Sequence, residues 1–224
     1  RYHLECLRRV YGVEVELAGV TSRRAESREA FGAKHGIRAY ASVEAMLDAI
    51  DVLDICSIPC AHEAGIVAAA RAGKAIMCEK PLTGFFGPAD DEGFRGNRSA
   101  KKPMLDAVVT TLTRIADAVR KHNVFFGYAE NYIYAPSIQK EREIVEKSGA
   151  QILRMIGEES HNGSGSPVYG IWRFAGGGSL IGKGCHPLGG LLYLKRIEGM
   201  AGAGRPIRPV RVSARTHQIT RLPN

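Results

Sequence analysis

What this chain lacks narrows it first. No apolar run approaches the roughly 20 residues needed to cross a bilayer. No basic stretch leads into an apolar segment ending in small residues, so a secretory leader is not expected either. Its five cysteines, Cys6, Cys56, Cys60, Cys78 and Cys185, are odd in number and lack paired short spacings. Buried or free thiols in a reducing cytoplasm are the expectation. Zinc-finger spacing and an RNA-binding aromatic signature are missing, and the Lys and Arg residues behind the net charge of +8 are scattered. That argues against a nucleic-acid partner and for anionic small molecules such as a phosphorylated cofactor. A His-Glu-x-x-His helix is absent, and His161 and His186 have no carboxylate at ligand spacing, so no metal site is expected.

What is present reads as an ordinary globular chain: 224 residues, 45% hydrophobic and 24% charged. That length holds one large domain or two modest ones. Arg1–Tyr11 has the Leu4, Leu7 and Val10 stripe of an amphipathic helix, with Gly12 as its stop. Strands and helices then alternate, as in parallel βαβ units. Strands are expected at Val13–Val20, Ala39–Ala41, Leu53–Ile58, Ala75–Cys78 and Val124–Tyr128. Helices are expected near Arg24–Lys34, Glu44–Ala49 (N-capped by Ser42), His62–Ala72 and Ala107–His122, the last with Leu112, Ile115 and Val119 inward. A polar, Gly-rich insertion lies between Pro81 and Asp106, readable as a lid or as a surface loop. Beyond Tyr128 the character changes. A helix at Pro136–Lys147 and a strand at Gln151–Ser160 precede the loop Asn162–Pro167, the Gly176-Gly-Gly run, a helix near His186–Lys195 and a strand at Val210–Ile219.

The most informative stretch is Asp54–Pro81. Here a strand, the His62 helix, a Gly73-Lys74 stop and the strand Ala75–Cys78 run into Glu79-Lys80-Pro81. A lysine at the carboxyl end of a strand stands where open α/β sheets collect ligands. This run resembles the Gfo/Idh/MocA oxidoreductases, which oxidise or reduce sugars and polyols with a nicotinamide cofactor. The resemblance implies an α/β fold: a doubly wound parallel, Rossmann-like sheet followed by the start of an α+β domain with an open, mostly antiparallel sheet. The domains would be residues 1–128, for the dinucleotide, and 129–224, part of a substrate and oligomerisation domain. The first strand and its Gly-x-Gly-x-x-Gly turn are expected to be missing by truncation, and full-length members are expected to form homo-oligomers.

Candidate site residues follow. Ser22-Arg23-Arg24, after the first strand, has a hydroxyl and arginines where an acidic residue would favour NAD, so NADP is placed ahead of NAD. Otherwise Ser22 merely caps a helix and the arginines are solvated. Ser57-Ile58-Pro59 and His62 stand in place of the family's Thr-Pro-Asn-x-x-His loop along the nicotinamide, one residue shorter and with Cys60 for Asn. His62 is equally readable as a local packing residue. By resemblance, Lys80 holds the reacting oxygen and Glu79 faces the cofactor. Trp172-Arg173 resembles the pair that returns to touch the dinucleotide, or else anchors a core. Tyr128 and Asn131 are candidate substrate contacts.

The Gly176-Gly-Gly…Gly-x-His pattern places His186 as the proton-transferring group, but Gly182 stands where the family has Asp, with Lys183 beside it. A helical turn would bring Lys183 and His186 onto one face, where Lys183 could polarise the substrate oxygen. The reaction implied is hydride transfer between NAD or NADP and a sugar, polyol or related secondary alcohol. The missing Asp leaves two alternatives: a non-catalytic dinucleotide-binding sensor or scaffold, or an inactive fragment of such an enzyme.

Overall fold

The computed structural model describes residues 2–160, 163 and 166–217. His161 and the end of the strand expected at Val210–Ile219 lie outside them. The described chain forms two compact units, one running to Glu130 and resuming over Glu159–Cys185, the other Asn131–Glu158 with the residues from His186 onward.

In the first unit, α1 (Tyr2–Leu7) precedes β1 (Val20–Thr21), α2 (Ala25–His35), β2 (Ala39–Tyr40), α3 (Glu44–Leu47) and β3 (Val52–Ile55). Then come α4 (His62–Arg71), β4 (Ala75–Cys78), α5 (Lys101–Lys121) and β5 (Phe126–Tyr128). The strands are parallel throughout, in two ladders, β1-β2 and β3-β4-β5. The main departure from the sequence reading lies at the first of them. Val13–Val20 was expected to be a strand, but only Val20 and Thr21 pair; Val13 and Val15 are 63% and 39% exposed. A β-prone segment with no neighbour on that edge has no ladder to join.

The core lies between β3, β4 and helices α4 and α5. Ile66, Ala69 and Ala70 of α4, Ile76 and Cys78 of β4, and Ile115 of α5 are buried there with Leu53 and Ile55. Burial also pushes the Cys78 thiol up to about 12, so it behaves as a small apolar residue. Ser42 accepts the Ala45 N–H at 3.2 Å, as a helix-starting hydroxyl should. Helix α5 begins six residues before the expected Ala107, because Pro103 falls in the first turn, where its missing N–H has no intrahelical partner. Leu112, expected inward, is 37% exposed and shares an outer stripe with Leu105 and Val109.

The remaining elements are α6 (Pro136–Ser148), α7 (Trp172–Ala175), α8 (Ser179–Gly182) and α9 (Cys185–Ala203). The strand expected at Gln151–Ser160 does not form. Its backbone is held instead by α9 side chains: Glu198 accepts the Ile152 N–H at 3.2 Å, and Lys195 donates to the Ile152 carbonyl at 3.1 Å. Residues 210–217 are exposed and likewise outside any strand. Among the described residues, no helix is long and apolar enough to cross a membrane.

Candidate active site

Strand β4 ends at Cys78, so Glu79 and Lys80 leave the sheet at its carboxyl edge, and the Lys80–Pro81 peptide is cis. The Glu79 N–H is anchored on the Ile55 carbonyl of β3 at 3.0 Å, which ties the exit of β4 to the end of its neighbour. Here a cleft of about 390 Å³ is lined by Tyr2, His3, Cys56, Glu79, Lys80 and Tyr169. The Lys80 ammonium donates to the Gly182 carbonyl at 2.8 Å. The residue standing at the family's Asp position therefore still meets the lysine, through its backbone oxygen.

His3 was not singled out from the sequence, yet it sits at the centre of this cleft. Its Nδ1 lies 3.0 and 2.9 Å from the two Asp54 oxygens, and its Nε2 lies 2.8 Å from Glu79 Oε1. Hydrogen bonds to Asp54, then Cys56 and Glu79, raise the His3 pKa to about 12 against the lowering effect of burial. Burial by itself pushes the Glu79 carboxyl up, but hydrogen bonds from His3 and from the Lys80 N–H (2.8 Å, to Oε2) outweigh it and hold the group below its ordinary value. Burial raises the Cys56 thiol, with His3 partly offsetting it. His3, Asp54 and Cys56 also offer donor atoms within 4.8 Å of one another. Nothing in the sequence separates His3 from any other helix residue. Only the folded arrangement, α1 over the ends of β3 and β4, brings it to two carboxylates.

The other candidates are distributed more widely. At the end of β1, Ser22, Arg23 and Arg24 are exposed; the Ser22 hydroxyl donates to the Arg24 carbonyl at 3.1 Å, and the helix has no side-chain cap. Arg28 joins them, donating to the Ser22 carbonyl at 3.3 Å. Its place one helical turn beyond Arg24 is a signal that could have found it. In the Ser57-Ile58-Pro59 loop, Ser57 is exposed, Ile58 half-buried and Pro59 buried. His62 is fully buried, with its nitrogens 3.0 Å from the Ser57 carbonyl and 3.3 Å from the Leu82 carbonyl. Local packing occupies both faces of that ring. Tyr128 closes β5, and burial, then the charges of Cys185 and Glu130, push its hydroxyl above the usual range.

Trp172 and Arg173 on α7 grip the insertion. The Trp172 indole N–H donates to the Phe85 carbonyl at 2.7 Å, and the Arg173 guanidinium donates to the Pro88 and Ala89 carbonyls at 3.2 and 3.1 Å. Phe94 meets Trp172 and Phe85 edge-on. Gly84 approaches Gly176 so closely that a Cβ at either position would meet the other's backbone at 2.5–2.8 Å. Lys183 follows α8, and α9 starts only at Cys185, so the expected single turn carrying both Lys183 and His186 does not form. Glycines at 182 and 184 flank Lys183, the poorest helix formers short of proline. In the second unit, Asn131 is exposed, and the buried His186 ring stacks on Tyr132 with centroids 4.2 Å apart.

Parallel strands between helices, opening at their carboxyl ends into a cleft, are the arrangement of a Rossmann-like α/β fold. Residues 2–91 match the family described as "Oxidoreductase family, NAD-binding Rossmann fold" (GFO_IDH_MocA). Inositol 2-dehydrogenase from Cereibacter sphaeroides is 39% identical over 69 residues, 30% of this chain and 21% of that protein. Among solved structures, an NAD-binding protein from Listeria innocua superposes with a TM-score of 0.62 at 26% identity, over 86% of this chain and 50% of that one. A levoglucosan dehydrogenase solved with NADH and levoglucosan gives a TM-score of 0.58 at 21% identity, over 80% and 44%. The chain thus spans about a fifth of the curated relative and half or less of these two structures.

Proposed function

We propose that this chain carries the Lys80 cleft of an NAD(P)-dependent oxidoreductase acting on a secondary alcohol of a sugar, polyol or related compound. The observation that carries this reading is the Lys80 ammonium at the end of β4, held by the Gly182 carbonyl at 2.8 Å and opening into the strand-end cleft. The cleft fits the nicotinamide end of a dinucleotide: it is lined by charged and aromatic side chains and sits at the carboxyl edge of parallel strands, where such ligands lie. Glu79, Cys56 and Lys80 would line that end. Arg23, Arg24 and Arg28 at the tip of β1 would meet a 2′-phosphate, with no acidic side chain in Thr21–Arg24 to oppose it; this favours NADP.

The bound nicotinamide supplies the hydride acceptor in oxidation and the donor in reduction. The chain's own groups handle the oxygen and its proton. Lys80 donates a hydrogen bond to the substrate oxygen, and the Gly182 carbonyl keeps the ammonium aimed. A carbonyl acceptor leaves the lysine its full charge without the competing anion an aspartate would supply. As the carbinol C–H leaves as hydride, the O–H proton passes to a general base, with Lys183, in the same unit as Lys80, polarising the oxygen. In reduction the same proton returns.

The relatives named for inositol and levoglucosan dehydrogenation support a sugar or polyol as substrate. Incubating the full chain with NAD or NADP and a panel of sugars and polyols, followed at the nicotinamide absorbance, tests the reading. Turnover of at least one member, abolished in Lys80→Ala, is the expected result; no turnover by the wild type across the panel counts against it. A second reading, a dinucleotide-binding sensor without chemistry, is favoured by Gly182 at the Asp position. Saturable cofactor binding with no turnover of any substrate would select it.

A further inference from the structure

We propose that His3 is a positioning residue: its imidazolium clamps Asp54 and Glu79 together and thereby holds the Lys80 peptide in place. The geometry states the charge. Nδ1 faces both Asp54 oxygens and Nε2 faces Glu79, and a neutral imidazole has only one N–H to offer. Two carboxylates on opposite sides of the ring are both satisfied only when both nitrogens carry protons. Around His3 stand Asp54 and Cys56 from the end of β3, Glu79 with Lys80 beyond it from the end of β4, and the Tyr2 ring on its own helix. All three members of the clamp are substantially shielded, at 18% exposure for His3, 20% for Asp54 and 32% for Glu79. Without the cation, two carboxylates on neighbouring strand ends would repel one another where solvent screens them only partly.

The clamp does not stop at Glu79. One carboxylate oxygen accepts the His3 N–H, and the other accepts the Lys80 backbone N–H. An unbroken run of hydrogen bonds therefore leads from α1 to the peptide that carries the lysine. His3 fixes the rotamer of Glu79, Glu79 fixes the turn after β4, and the turn sets where the ammonium points. This inference rests on the Lys80 reading for its consequence in catalysis, but the clamp itself is measurable without any substrate.

Nitrogen NMR of the histidine side chains in the full chain, with His3 assigned by its loss in His3→Gln, reads the clamp directly. Both His3 nitrogens are expected to stay protonated through about pH 8, well above the ordinary imidazole range. The Lys80 amide resonance is expected to shift in His3→Gln while that of Ile66, in the core, stays put. Where a substrate is turned over, His3→Gln lowers kcat about 10-fold with KM changed less than about 3-fold, and His3→Lys, which restores a cation, recovers part of it. A His3 ring that titrates near its ordinary value, or a Lys80 amide unmoved in His3→Gln, overturns the proposal whether or not turnover is found. If His3→Gln fails to fold, Glu79→Gln keeps the volume and removes one clamp anion. His3 must then deprotonate at distinctly lower pH, and an unchanged titration sinks the clamp.

Discussion

Two regions of the first unit hold comparable numbers of charged and aromatic donors and use them in opposite ways. In the clasp formed by α7 and the insertion, the side-chain hydrogen bonds described go to backbone carbonyls: Trp172 to Phe85, Arg173 to Pro88 and Ala89. At the strand-end cleft, side chains meet side chains: His3 with Asp54 and Glu79. Lys80 is the exception there, with a carbonyl partner. A side chain bonded to the backbone fixes the path of the chain, and its own chemistry is used up in doing so. Charged groups that face one another in a half-open cleft keep their protons in play. The same residue types therefore build a backbone joint in one place and a set of facing charges in the other.

Breaking the clasp gives the largest effects on stability. Gly84→Val forces a side chain into the 2.5 Å contact with the Gly176 carbonyl, and costs about 1–3 kcal/mol or more; chemical denaturation will show it as a lower midpoint. Trp172→Phe keeps an aromatic ring but removes the indole N–H from Phe85. It is expected to cost about 1 kcal/mol, a fall in Tm of about 2–4 °C for a protein this size. Neither change is expected to alter the His3 titration, and one that did would dissolve the distinction between the two regions.

The cleft gives smaller and pH-dependent effects. His3 carries a raised pKa, so its contribution to stability is complete below its unfolded value of 6.5 and declines as pH rises from there towards about 12. Glu79 is lowered, so its contribution is present at neutrality and is lost as pH falls through and below its ordinary value of 4.5. Thermal unfolding followed from pH 6.5 upward should show a declining Tm in the wild type and a shallower decline in His3→Gln. Parallel curves would mean that the imidazole gains no partner on folding.

Much of the fold was legible because it depends on short-range pattern. β4 falls at Ala75–Cys78 as its apolar run and flanking Gly73 indicate, and α2 ends at Gly36, whose φ of 67° only a residue without a Cβ adopts freely. Val13–Val20 and Gln151–Ser160 have strand-like composition, but a strand also needs a partner, and composition does not report one. The site divides in the same way. The position of Glu79 and Lys80 at a strand end was legible because they sit in one tripeptide after the β4 run. His3 and Asp54 were not, since 51 residues separate them and only α1 lying over the sheet edge brings them together. His62 matched a motif position, yet burial turned both of its nitrogens to nearby carbonyls. The Lys183–His186 turn failed because spacing alone does not keep a helix going through glycines 182 and 184.

The central claim is that the Lys80 ammonium holds the reacting oxygen. Steady-state rates of wild type and Lys80→Ala on the same alcohol, with cofactor affinity measured separately by nicotinamide fluorescence, test it most directly. The expected result is a fall in kcat of about 10²–10⁴-fold with cofactor affinity held within a few-fold. A Lys80→Ala protein that turns the alcohol over at the wild-type rate would contradict the account.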